Sequence, residues 1–146
     1  MSRVLPGTMR VFEGLVLLTL ALRAAQIVVN PEPWLYRIAA ADRLTAPGVG
    51  MVLVALGPLV PAALGLWTSR RASRVTRFIF VVWVALLLAA YVLPILQYGF
   101  VFSVSAAFNI TILLAYVGAV VLLFTPSSVQ WFRRERSIAE IAEDFA

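Results

Sequence analysis

Cysteine, histidine and lysine are all absent from these 146 residues, and only seven are acidic. Without cysteine there is no disulfide, no cysteine-held iron-sulfur cluster and no thiolate metal site. Without histidine the commonest general base is missing, together with the usual ligands of zinc, copper and haem iron. Without lysine no Schiff base can form. Neither paired intramembrane carboxylates nor a glycine-rich phosphate loop occur in the sequence. The expectation is a protein that is not an enzyme and carries no metal and no cofactor.

What the chain has in excess is apolar length. Hydrophobic residues make up 62% and charged residues 13%, against about 45–50% and about 25% in a typical globular domain. Four apolar stretches, at 11–29, 49–67, 78–96 and 101–124, are each close to or above the roughly 20 residues a helix needs to cross about 30 Å of hydrocarbon. No connecting segment is long enough for a soluble domain. The sequence therefore predicts an all-α integral membrane protein, one domain over 1–146, with four transmembrane helices in one bundle. The first stretch carries Arg23 and is followed by no adjacent A-x-A site, so it is expected to stay in the mature protein rather than act as a signal peptide.

All 12 basic residues are arginine, and their placement orients the chain. Nine fall on one side: Arg3 and Arg10 before the first span, Arg70, Arg71, Arg74 and Arg77 between the second and third, and Arg133, Arg134 and Arg136 after the fourth. The other side holds Arg37 and Arg43. Because basic residues concentrate in cytoplasmic loops, both termini are expected in the cytoplasm and the protein in the cell's inner (plasma) membrane. The net charge of +5 is accounted for by topology and contact with anionic lipid, and no nucleic-acid partner is expected.

Polar residues inside the spans are the candidate sites. Glu13 follows Arg10 by three residues, a spacing that allows an ion pair on one helix face; the sharper reading is an ion or proton site. Arg23 lies about 18 Å along a helix that starts at Val11, and Asn109 about 12 Å along one entering from the opposite side near Val101, so the two reach similar depth. Gln26 shares a face with Arg23, and Gln97 closes the third span on that side. Arg23, Gln26, Gln97 and Asn109 are thus expected to form one polar cluster in the outer half of the bilayer, as interhelical glue or as an anion or headgroup site. In the second span Pro58 and Pro61 remove the donors for the carbonyls of Val54 and Gly57, which predicts a kink. Gly57, Pro61 and Gly65 recur every four residues and offer a smooth stripe for a neighbouring helix.

Two shorter helices are expected outside the hydrocarbon. Residues 34–44 suit an interfacial helix anchored by Trp34 and Tyr36. At the C-terminus Ile138, Ile141 and Phe145 form an apolar stripe among acidic residues, which suits a short amphipathic helix. Polarity in the fourth span is confined to one end, which disfavours a pore within one copy. The leading functional expectation is an interaction or accessory subunit that self-associates or joins a larger membrane complex. The alternative is an oligomeric channel, a holin-like pore or a small transporter.

Overall fold

In hydrocarbon a backbone amide has no water to bond with, so an apolar run satisfies its own peptide groups by coiling into a helix. A computed structural model of the chain describes residues 6–71 and 74–133, and among them all regular structure is helical. The order is α1 (Gly7–Val29), α2 (Glu32–Leu44), α3 (Val49–Arg71), α4 (Arg74–Tyr98) and α5 (Val104–Leu123), followed by further helical turns over 126–133. Four of these, α1, α3, α4 and α5, are long and apolar enough to cross a membrane. The C-terminal stripe and Arg3, Arg134 and Arg136 lie outside the described residues.

The helices exceed the apolar stretches because their polar flanks stay helical beyond the hydrocarbon: α4 runs from Arg74 to Tyr98. The exception is α5, which starts only at Val104 because Ser103 caps it, its Oγ accepting from the Ala106 amide at 3.1 Å. Gly99, at φ +80°, ends α4 in the left-handed conformation that costs glycine least.

Helix α1 packs against both α3 and α5, while α4 closes on α3 and α5. At the end of the bundle where α1 begins and α5 ends, the core is apolar and tight. The Phe80 ring stands edge-on to Phe12, centroids 5.5 Å apart, and to Tyr116 at 6.2 Å. Met9, Val16, Ala119 and Leu123 fill the space around them with no exposed surface. Hydroxyls sew the perimeter, Ser128 Oγ bonding to Thr8 Oγ1 at 3.2 Å and Thr125 Oγ1 to Ser128 Oγ at 3.0 Å.

The small-residue stripe of α3 divides. Gly65 receives α1 and α4 of its own chain: a Cβ there would lie 2.9 Å from both Val16 methyls and 3.3 Å from Phe80. Pro61 is fully buried. Gly57 meets no helix, and a Cβ on it would have nothing within 4 Å. Helix α3 runs through Pro58 and Pro61 without a break in its helical course.

Helix α2 is docked on α3 rather than only resting at an interface. The Asp42 Oδ1 accepts the Gly50 amide at 2.6 Å in the first turn of α3, where the helix dipole favours a carboxylate. The backbones meet so closely that a Cβ on Gly50 would collide with the Ile38 carbonyl oxygen. Beside this contact Trp34 is turned inward, at 8% exposure, while Tyr36 is exposed.

Candidate functional site

At the α2 end the bundle interior is polar. An arginine carried by an apolar helix needs partners that replace water, and Arg23 finds them on three helices. Its Nη1 donates to Gln26 Oε1 at 2.8 Å and to Asn109 Oδ1 at 2.7 Å, and its Nη2 donates to the Tyr91 hydroxyl at 3.2 Å. Tyr91 donates in turn to Asn109 Oδ1 at 3.0 Å. The buried Gln26 amide reaches the Ser105 carbonyl at 3.5 Å and Asn109 Oδ1 at 3.4 Å, and Asn30 Nδ2 donates to Ser105 Oγ at 2.9 Å. Asn109 Oδ1 is the hub, accepting from α1 and α4 at once.

Of the residues expected in this cluster, Arg23, Gln26 and Asn109 are brought together. Gln97 is not: it is exposed near the end of α4, six residues and about 9 Å of helix rise beyond Tyr91. Tyr91 takes its place because it sits at the depth of Asn109. Depth arithmetic applied to α4 finds it.

Beside the cluster lies a cavity of about 380 Å³ between α2, α3 and α4, with Arg23 and Arg37 at its α2 end. Both guanidinium carbons stand close to the Trp34 ring, at 5.6 Å and 5.3 Å from its centroid, within the range of cation–π attraction. Gly57 and Pro58 line the α3 wall together with Val54, so the prolines free carbonyls of residues that face this space. Trp83 lines the α4 wall, and its Nε1 is one of two buried side-chain nitrogens without a hydrogen-bond partner among the described residues, Trp131 Nε1 being the other. Tyr116 and Pro61 also line the cavity, and Tyr116 packs edge-on against Phe80, which meets Phe12 in turn. Among the described residues no acidic side chain lines the cavity, so two cations face it without a carboxylate on its wall.

Glu13 lies at the opposite end, on α1. Ser69 Oγ donates to its Oε1 at 2.5 Å and Arg70 Nε stands 3.7 Å away, with the Glu13 side chain 17% exposed. Its carboxylate is thus bound to Ser69 and Arg70 of α3 across the helix interface, where the sequence spacing pointed to Arg10 of its own helix. Among the described residues no group of three or more potential acidic metal ligands occurs.

A second cleft, apolar and about 330 Å³, separates α4 from α5 and has Tyr91 and Asn109 on its wall. No protein-family model, curated protein or solved structure matches the chain.

Proposed function

We propose that the protein is a non-enzymatic, multi-pass subunit of the bacterial inner membrane that works by binding, with the α2-end cavity as its recognition element. The observation that carries this reading is the cavity that Arg23 and Arg37 line with no carboxylate on the described wall. Two guanidinium groups beside apolar walls suit the holding of a ligand. Both termini are cytoplasmic in this proposal, by the arginine asymmetry, so the cavity opens in the outer half of the bilayer.

The subunit associates with copies of itself or with a larger membrane complex. The stripe of Gly57 and Gly65 does not support that association, since Gly65 is spent on the chain's own α1 and α4. The support comes from α4, whose Ile79, Val82, Leu86 and Leu93 form one exposed apolar row. A single-copy channel is disfavoured because Tyr116, Phe80 and Phe12 close the interior beyond the cavity.

Gentle extraction from the native membrane and native mass spectrometry test the reading. The expected spectrum contains the chain with bound ligand, further copies or a partner. A bare monomer would contradict it. A phosphatase fused after Ala146 should be inactive, as a cytoplasmic terminus requires.

A further inference from the structure

Resting on the reading that the cavity is a binding site, we infer that its ligand is an anionic phospholipid of the surrounding leaflet, with the phosphate held between Arg23 and Arg37 and the start of the tail in the slot below.

The chemistry of the walls is graded. At the α2 end stand the two guanidinium groups, gathered around the Trp34 ring. Arg23 spends three of its five N–H donors on Gln26, Asn109 and Tyr91, which fixes the group while leaving donors for an anion. Arg37 is exposed and brings a second set. Two like charges gathered at one ring repel each other, and an anion between them relieves that repulsion while forming charge-assisted hydrogen bonds. Further down, Val54, Pro58 and Leu87 make the walls apolar. From Leu53 to Pro61 the slot follows about 12 Å of helix, longer than an inorganic anion needs and enough for a headgroup and the first carbons of a tail. Leu53 at the rim is 51% exposed, on a helix whose outer face is apolar, so the entrance lies open to lipid. Inorganic phosphate would satisfy the arginines alone; only an amphiphile uses the arginines and the apolar walls together.

The test titrates the full-length protein in detergent with phosphatidylglycerol or phosphatidylcholine, read by native mass spectrometry. Phosphatidylglycerol should bind about 10-fold more tightly, roughly one charge-assisted contact's worth. Arg37→Gln should cut that preference to about 3-fold or less, whereas Arg43→Gln, on the exposed face of the same helix, should leave it intact. Inorganic phosphate at millimolar concentration should displace neither lipid. Equal affinity for the two lipids, equal effects of Arg37→Gln and Arg43→Gln, or displacement by inorganic phosphate would each overturn the lipid assignment. If those results came with a protein partner that is lost on filling the cavity by Gly57→Phe, the binding reading would stand and only the lipid would fall.

Discussion

The two ends of this bundle solve the same problem, four helices meeting in an apolar medium, in opposite ways. At the end where α1 begins, Phe12, Phe80, Tyr116 and Leu123 interlock around a glycine on α3, and the interior is filled. At the α2 end the helices are held by hydrogen bonds to one arginine, and a space of about 380 Å³ stays open beside it. The difference divides the labour: tight apolar packing supplies the stability, and the polar end gives up packing for a fixed, open arrangement of charge. Sites that bind commonly carry such a local cost, supported by the rest of the fold.

Substitutions at the two ends should therefore separate stability from binding. Phe80→Ala removes the ring that contacts Phe12 and Tyr116 and should cost most, about 3–5 kcal/mol by analogy with buried aromatic truncations, seen as the largest drop in melting temperature in detergent. Gly65→Leu forces a side chain into Val16 and should cost about 1–3 kcal/mol by overpacking, measured in the same thermal series. Asn109→Leu removes the hub acceptor and should cost about 1–2 kcal/mol, since hydrogen bonds between membrane helices are individually modest. Gly57→Phe enters open space and should change stability least, within roughly 0.5 kcal/mol. If Asn109→Leu proved more damaging than Phe80→Ala, the division of labour would be reversed.

The same contrast explains what is legible in the sequence. Helical rise converts residue number into depth, so residue numbers alone match Arg23, Gln26 and Asn109 across α1 and α5. Gln97 matches only through its closeness to the end of an apolar run, and α4 outruns that end. Tyr91, which the same arithmetic places correctly, reads in the sequence as bulk. The glycine stripe of α3 is visible, but not that Gly65 meets Val16 while Gly57 meets a cavity, because a repeat specifies a face and not its neighbour. The inward turn of Trp34 depends on α2 meeting α3 at Gly50, a tertiary contact that no local pattern carries. Arg37 and Trp83 join the site only through that docking and through the packing of α4, so neither announces itself in sequence.

A built binding site at the open end, as proposed, differs from a packing defect in what it retains. Its most direct test is to purify wild type and Gly57→Phe from the native membrane side by side and compare what each retains by native mass spectrometry. A bound mass should appear on the wild type and be lost from Gly57→Phe, with the two equal in thermal stability once both are stripped of ligand. A Gly57→Phe protein that keeps the same bound mass as wild type would contradict it.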